Sequence, residues 1–209
     1  MTKIKFCGLS RAEDIIAANE LNVDYVGFVF APKSKRFINR PKARELKSKL
    51  KPPIKAVGVF VNESINNIKS MLDENIIDMV QLHGDEGDEY IAALKKITDN
   101  PIIKAFVIKC AADVIRAKGS KADKILLDAG AGVGNVFDWS LIKDVKRDYF
   151  LAGGLTAQNV GAAIKALAPY ALDVSSGIET GGKKDGEKMK DFVATVKNTD
   201  IVISKGQYL

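Results

Sequence analysis

Two reactive side chains stand at the ends of short apolar runs of the chain. Cys7 closes the run 3–7, and Asp128 closes the run 125–128. A cysteine in this position could act as an acid, a base or a nucleophile. A carboxylate at the end of an apolar run is hard to explain as core, because burying an unpaired charge is costly. The structural alternatives are a small buried hydrophobe at Cys7 and a helix cap or an ion-pair partner at Asp128.

Two later loops rich in glycine and serine follow the apolar runs 149–152 and 171–174. Their residues are Gly153, Gly154, Ser175, Ser176 and Gly177. Small residues let backbone N–H groups approach phosphate oxygens, and the two loops together predict a phosphate-binding site. Simple turns are the alternative for each loop taken alone.

Three further polar residues lie near the ends of apolar runs. Arg36 belongs to the basic loop 31–36, and its planar guanidinium suits a carboxylate, although an exposed basic loop is the alternative. Asp173 precedes the second of these two loops, and His83 is the only histidine of the chain. A site built on several histidines is therefore excluded. A Cys/His/Asp metal site is conceivable, but the spacings match no zinc motif, and the run 130–134 lacks the register of a dinucleotide loop. We predict neither a metal nor a cofactor.

Eight apolar runs alternate with segments of helical periodicity along the chain. Each run is apolar on both faces, as strands buried in a parallel sheet are. The predicted strands are 3–7, 25–30, 56–61, 79–82, 102–107, 125–128, 149–152 and 171–174. This alternation predicts an α/β fold, and eight repeats favour a (β/α)8 TIM barrel over an open doubly wound sheet. In a barrel, catalytic groups lie at the C-terminal ends of the strands.

Start signals mark several of the intervening helices. Ser10 followed by Glu13 predicts a capping box for the first helix. Asn39 is expected to cap the second helix and Thr156 the seventh. Apolar residues at helical spacing predict buried faces at Tyr90/Leu94/Ile97, Val160/Ile164/Leu167 and Met189/Phe192/Val193/Val196. The sixth helix is predicted near 139–145.

Composition and charge indicate one catalytic domain spanning residues 1–209, because no linker or low-complexity stretch divides the chain. The net charge is +6, but the 32 lysines and arginines are interleaved with 26 acidic residues. That pattern is typical of a solvated surface and not of a nucleic-acid site. No apolar run is long enough to span a bilayer and no signal peptide is evident, so we expect a cytoplasmic protein without membrane contact. Cys7 and Cys110 are then free thiols. The sequence indicates no particular protein partner.

Nine motifs occur in a specific order along the chain. They are KFCGL (5–9), VGFVF (26–30), PKSKRF (32–37), VGVFVN (57–62), VQLHGDE (80–86), LLDA (126–129), FDW (137–139), AGGL (152–155) and DVSSGIE (173–179). On these motifs the chain resembles the phosphoribosylanthranilate isomerase family nearly from end to end. The segment 130–136 and the closing residues 198–209 depart from the family's pattern.

The resemblance implies a (β/α)8 barrel that acts on a small phosphorylated substrate in tryptophan biosynthesis. It would convert N-(5-phosphoribosyl)anthranilate into 1-(2-carboxyphenylamino)-1-deoxyribulose 5-phosphate, an Amadori rearrangement without a cofactor. Cys7 matches the family's general base and Asp128 its general acid. Arg36 matches the residue that holds the anthranilate carboxylate, and the two glycine and serine loops match the phosphate-binding segments. His83 and Asp173 match positions that line the pocket.

This chemistry sets conditions on the acid and the base. Asp128 has to carry a proton to open the ribose ring, which needs a raised pKa. Cys7 needs either a lowered pKa or a small reactive thiolate fraction, because an ordinary thiol is mostly protonated at neutral pH. A related sugar-phosphate isomerase or epimerase would require two aspartates or a metal. A barrel that only binds a metabolite would show no turnover.

Overall fold

Eight short strands form where apolar side chains occupy both faces of the chain and turn residues bound the run. In this computed structural model, which describes residues 1–128 and 139–206, the strands are β1 (Lys3–Cys7), β2 (Tyr25–Val29), β3 (Lys55–Phe60), β4 (Met79–Leu82), β5 (Ile102–Val107), β6 (Lys124–Asp128), β7 (Tyr149–Ala152) and β8 (Ala171–Val174). Five match the predicted bounds, and the other three differ by one residue at one or both ends. The glycine run 130–134 and the closing residues 207–209 lie outside the described residues.

The eight strands are parallel, and each pairs with its neighbour in the sequence. β8 also pairs with β1, so the sheet is closed. The predicted barrel is confirmed and the open doubly wound sheet is wrong. Closure sets two contacts that matter for the site: Lys5 is in register with Asp173, and Cys7 is in register with Gly27. The polar strand ends therefore meet at one face of the barrel.

Helices cover the outside of the barrel. They are α1 (Ala12–Leu21), α2 (Arg40–Ser48), α3 (Ile65–Asp73), α4 (Asp88–Lys95), α5 (Ala111–Gly119), α6 (Val160–Leu167) and α7 (Gly186–Gly206). After β8, a hairpin of β9 (Glu179–Thr180) and β10 (Lys183–Lys184) precedes α7.

The predicted sixth helix at 139–145 is wrong in kind. Only a 3-10 turn, Trp139–Ile142, forms in this segment. The Val145 N–H then donates to the Ile142 carbonyl three residues earlier at 3.1 Å, the tighter 3-10 spacing. Ile142 is buried, so a single turn already covers this flank of the barrel.

The two N-terminal caps predicted for α1 and α2 have different outcomes. Asn39 caps α2 as predicted, since its side-chain oxygen accepts a backbone N–H of the first turn. The capping box of Ser10 and Glu13 is wrong, because Glu13 is exposed. The carboxylate of Asp14 instead accepts the N–H groups of Ser10 at 2.9 Å and Arg11 at 3.0 Å. Asp14 is buried and therefore reaches the groups that Glu13 cannot.

The later helices confirm part of the predicted pattern. The helix predicted as the seventh is α6, and Thr156 does not cap it with its side chain. The helix begins four residues later, and the side chain of Asn159 accepts the Thr156 N–H at 2.8 Å. Ile97 lies beyond the end of α4 and is exposed. The apolar face of α7 is confirmed, since its buried residues include Met189, Phe192, Val193 and Val196.

Two apolar layers hold the barrel together. The larger layer packs between the strands and the helices. The smaller layer contains side chains such as Tyr25, Met79 and Phe150. Burial of these apolar groups is the main driving force for folding. Within the described ranges, no helix is both long enough and apolar enough to cross a membrane.

Candidate active site

A pocket of about 270 Å³ opens at the C-terminal ends of the strands. Nine of the ten site residues predicted from the sequence line it: Cys7, Arg36, His83, Asp128, Gly153, Gly154, Asp173, Ser175 and Ser176. Gly177 is the exception and lies behind the lining. A Cβ atom on Gly177 would stand 1.8 Å from the backbone oxygen of Leu155, so only glycine lets the loops after β7 and β8 pack this closely.

The thiol of Cys7 lies at the end of β1 in a half-buried position. Burial raises its pKa above the ordinary value. The ammonium group of Lys5 opposes this rise in pKa, Asp173 adds to it, and Lys184 opposes it. The lowered pKa considered in the sequence analysis is therefore not found, and at neutral pH only a minority of molecules carry the Cys7 thiolate.

Lys5 places a wholly buried ammonium group beside this thiol. Its Nζ atom donates to Oδ1 of Asp173 at 2.9 Å. Burial lowers the pKa of Lys5, but Asp173 and Cys7 together hold it above the ordinary value. Gly27 leaves the room for this arrangement, because a Cβ there would lie 2.8 Å from Sγ of Cys7 and 3.2 Å from Nζ of Lys5.

A second buried ammonium group, that of Lys184 on β10, ties the loop after β8 to the site. Its Nζ donates to the carbonyl of Ser175 at 2.9 Å and to Oε1 of Glu179 at 2.6 Å. The Ser175 hydroxyl in turn donates to the carbonyl of Cys7 at 3.0 Å. Burial lowers the pKa of Lys184, and Glu179 partly restores it. The loop after β8, the hairpin and the end of β1 are therefore joined by hydrogen bonds.

Arg36 reaches the pocket from the loop between β2 and α2. Its Nε donates to Oε1 of Glu179 at 2.7 Å, and its Nη2 donates to Oε2 at 2.8 Å. Nη1 donates to no atom of residues 1–128 and 139–206. Burial raises the pKa of Glu179, but its hydrogen bonds to Arg36 and Lys184 lower it to about 2. Glu179 thus fixes the guanidinium plane and leaves one edge open to the pocket.

Asp128 and His83 form another part of the pocket lining. Oδ2 of Asp128 lies 3.7 Å from Nε2 of His83, and both side chains are partly exposed. On its other edge, Nδ1 of His83 lies 3.2 Å from Nε2 of the Gln81 side chain. Gln81 is wholly buried and also lines the pocket.

The glycine and serine loops place backbone N–H groups at the pocket. Gly154 lies outside any strand or helix, and its N–H donates to no atom of the described chain. Ser176 opens the 3-10 turn Ser176–Ile178, and the first N–H groups of such a turn have no partner within it. N–H groups of this kind can donate hydrogen bonds to an anion.

Four residues of the site were missed by the sequence analysis. Lys5 lies two positions before Cys7 and Gln81 two positions before His83, and residues two apart in a strand face the same side. That spacing was a usable signal. Glu179 and Lys184 come from a hairpin of two-residue strands, which has no periodicity to detect. In the two described ranges, no group of three acidic, cysteine or histidine side chains could hold a metal ion.

Comparison with known proteins gives one consistent result. The sequence model of the family described as "N-(5'phosphoribosyl)anthranilate (PRA) isomerase" matches residues 4–195. N-(5'-phosphoribosyl)anthranilate isomerase of Endomicrobium trichonymphae is 43% identical over 203 residues, which cover 95% of this chain and 100% of that protein.

Solved structures show the same similarity. Phosphoribosyl anthranilate isomerase from Thermotoga maritima matches with a TM-score of 0.88 at 39% identity, over 95% of this chain and 100% of that one. A phosphoribosyl anthranilate isomerase in complex with reduced 1-(o-carboxyphenylamino)-1-deoxyribulose 5-phosphate matches with a TM-score of 0.85 at 39% identity, again over 95% and 100%.

Proposed function

The chain belongs to the N-(5'-phosphoribosyl)anthranilate isomerase family, and from this premise we propose that Cys7 and Asp128 transfer the protons of its reaction. The enzyme isomerises N-(5'-phosphoribosyl)anthranilate to 1-(o-carboxyphenylamino)-1-deoxyribulose 5-phosphate, an aldose-to-ketose step of tryptophan biosynthesis. The observation that carries the proposal is that Cys7, Asp128 and Arg36 line one pocket at the C-terminal face of the barrel.

The first step opens the ribose ring. The carboxylic acid of Asp128 gives its proton to the ring oxygen as the bond from that oxygen to C1 breaks, and the amine nitrogen supplies the electron pair that forms the C1=N bond. The product is a protonated Schiff base, and Asp128 is left as a carboxylate. Nε2 of His83, 3.7 Å from Oδ2 of Asp128, faces the atom on which this charge appears.

The second step removes the hydrogen from C2. The positive nitrogen acidifies that hydrogen, and the thiolate of Cys7 takes the proton while the C–H electrons form a C1=C2 bond and neutralise the nitrogen. The resulting enolamine tautomerises to the ketone. Because the substrate's own nitrogen accepts the electrons, an acid and a base suffice, and we propose no metal or cofactor.

Two buried lysines support the base. Lys5 and Lys184 both lower the pKa of Cys7 against the larger effect of burial. A fixed cation close to a sulfur atom stabilises the thiolate more strongly in a dry site than it would in water. We therefore assign to Lys5 and Lys184 the role of stabilising the reactive minority of thiolates.

Arg36 is proposed to hold the anthranilate carboxylate. Its Nε and Nη2 are already bonded to Glu179, so the substrate would use the edge that carries Nη1. The bidentate contact with Glu179 limits rotation of the guanidinium, which lowers the entropy lost when the substrate binds.

The phosphate is proposed to bind at the backbone N–H groups of Gly154, Ser176 and Gly177. Support comes from the N–H of Gly154, which has no partner in residues 1–128 and 139–206, and from the 3-10 turn that begins at Ser176. His83 and Asp173 complete the lining, and Asp173 acts through its bond to Lys5. With both ends of the substrate held, the reacting carbons lie between acid and base.

We further propose that residues 1–209 act as one cytoplasmic catalytic domain whose binding partner is this small phosphorylated substrate, and not nucleic acid or a membrane. The direct test is whether the enzyme turns over freshly generated phosphoribosylanthranilate, with the reaction monitored through the change in substrate fluorescence. Turnover that survives exhaustive chelation is expected. A folded preparation without turnover, or a loss of activity that a divalent ion restores, would count against the proposal.

A further inference from the structure

The buried amide of Gln81 has no part in the steps described so far. Its side chain lies inside the barrel on β4, two residues before His83, and it is wholly buried. Its Nε2 lies 3.2 Å from Nδ1 of His83. Its Oε1 is buried and has no hydrogen-bond partner among the described residues. A polar side chain kept in such a place needs a physical reason.

The chemistry of the amide determines the proton on the imidazole. An amide nitrogen only donates hydrogen bonds, so Nδ1 of His83 has to accept and carries no proton. The proton of a neutral imidazole then sits on Nε2. Turning the amide of Gln81 over would let Oε1 accept from an Nδ1–H group. It would also leave both N–H groups of the amide without acceptors among the described residues, whereas the present orientation leaves one N–H and the carbonyl oxygen. The turned amide is the less favourable of the two, because buried N–H groups without a partner are rarer than buried carbonyl oxygens without one.

This tautomer directs an N–H group of His83 toward Asp128. The distance of 3.7 Å between Nε2 and Oδ2 exceeds a hydrogen bond, and the two atoms would have to approach by about 0.5 Å to form one. Once Asp128 has given up its proton, the carboxylate attracts that donor more strongly than the neutral acid did. An interaction that strengthens as charge develops lowers the barrier of the step.

We propose that Gln81 is a positioning residue that holds His83 as the Nε2–H tautomer, so that His83 donates to Asp128 and does not act as a base. The kinetic consequence rests on the proposed role of Asp128 as the acid. The tautomer itself does not depend on that role, and the two can therefore fail separately.

The tautomer can be read directly, because the chain has one histidine. Two-dimensional ¹H–¹⁵N spectra of ¹⁵N-labelled enzyme without a histidine tag, recorded at alkaline pH, show the imidazole nitrogens of His83 alone. We expect a protonated Nε2 and an unprotonated Nδ1. Gln81→Glu provides an acceptor for Nδ1–H and should shift the spectrum toward the opposite tautomer. A wild-type spectrum with the proton on Nδ1 overturns the proposal, whether or not any variant folds.

Steady-state kinetics test whether Gln81 acts through His83. We expect Gln81→Met to lower kcat about three- to tenfold with little change in KM, the size of one neutral hydrogen bond. In a His83→Ala background the same substitution should have no further effect, since coupled residues are not additive. An equal loss in both backgrounds would mean that Gln81 acts by packing, and the proposal would fall. An active Asp128→Asn enzyme would remove the acid while leaving the tautomer result intact.

Discussion

Nζ of Lys5 lies 2.9 Å from Oδ1 of Asp173, and both side chains are buried beside the thiol of Cys7. Each member of this ion pair stabilises the charge of the other. A lone ammonium group at this depth would lose its proton, and a lone carboxylate would raise the pKa of the thiol further. Paired, Asp173 keeps Lys5 charged, and the charged lysine opposes the effect of burial on Cys7.

Removal of the Lys5 ammonium should therefore make Cys7 less acidic. We expect Lys5→Met to shift the pH dependence of Cys7 alkylation to higher pH and to lower kcat/KM at neutral pH. Iodoacetamide reacts with the thiolate, so its rate measured against pH reports the pKa. The Cys110→Ser background leaves Cys7 as the only thiol.

Lys104 offers a matched control for this substitution. It is a buried lysine paired with Glu86 at 3.1 Å, and it does not line the pocket that contains Cys7. Either substitution breaks a buried ion pair and should cost about 3–5 kcal/mol of unfolding free energy. Only Lys5→Met should change the alkylation profile. An identical shift in Lys104→Met would show that lost stability, and not the local cation, is responsible.

The pH profile of kcat/KM should follow the same thiol. Burial places the pKa of Cys7 above its ordinary value, so the thiolate fraction increases as the pH rises from neutral. We expect kcat/KM to increase over that range until the enzyme unfolds or another group titrates. A profile that is flat from neutral to alkaline pH would contradict a rate that depends on the thiolate.

The acid stability of the fold should depend on Glu179. Its pKa is about 2 in the folded protein against an ordinary 4.5. A group with a lowered folded pKa contributes stability above its unfolded pKa, and this contribution is lost as the pH falls through the folded pKa. We expect the wild-type unfolding free energy to fall between pH 4.5 and about 2 and Glu179→Gln to show a shallower slope. Glu20→Gln, at an exposed carboxylate that pairs with no cation of the described residues, is the control and should retain the wild-type slope.

How far the sequence predicts this site depends on what kind of signal each residue leaves. Cys7 and Asp128 end apolar runs, and such runs are the pattern that predicts buried parallel strands. Lys5 follows the same alternation as Cys7, yet a lysine in an apolar strand is normally read as a strand edge. The pKa of Cys7 was not predictable, because burial and the charges from β8 and β10 decide it and these elements are distant in sequence.

Local competition explains the errors at helix ends. Ser10 and Glu13 fit a capping box in type and spacing, but Asp14 is the residue that the fold buries next to the free N–H groups. The contact between Arg36 and Glu179 joins residues 143 positions apart. No spacing rule within the chain predicts a pair of that kind, whereas strand count and alternation were enough to predict the barrel.

The phosphate site can be tested with the anion itself. Inorganic phosphate should inhibit competitively, because it would occupy the N–H groups proposed for the substrate's phosphate. Gly177→Ala should weaken this inhibition and raise KM, since its new Cβ would lie 1.8 Å from the Leu155 oxygen and force the two loops apart. Gly186→Ala, where a Cβ meets no atom within 4 Å, is the control and should change neither. Noncompetitive inhibition would place the anion elsewhere.

Substitutions at three pocket residues separate binding from chemistry. A group that holds an unchanged part of the substrate contributes similarly to the ground and transition states, so Arg36→Ala should mainly raise KM. Cys7→Ser and Asp128→Asn remove proton transfer and should each lower kcat by about 10²–10⁴-fold with KM little changed. Steady-state kinetics after circular dichroism has confirmed folding measures both parameters, and Cys110→Ser should behave as wild type because that thiol is exposed outside the pocket. A near-normal kcat in Cys7→Ser would return Cys7 to a structural role, and an Arg36→Ala enzyme that lost kcat alone would show that Arg36 acts in the chemical step.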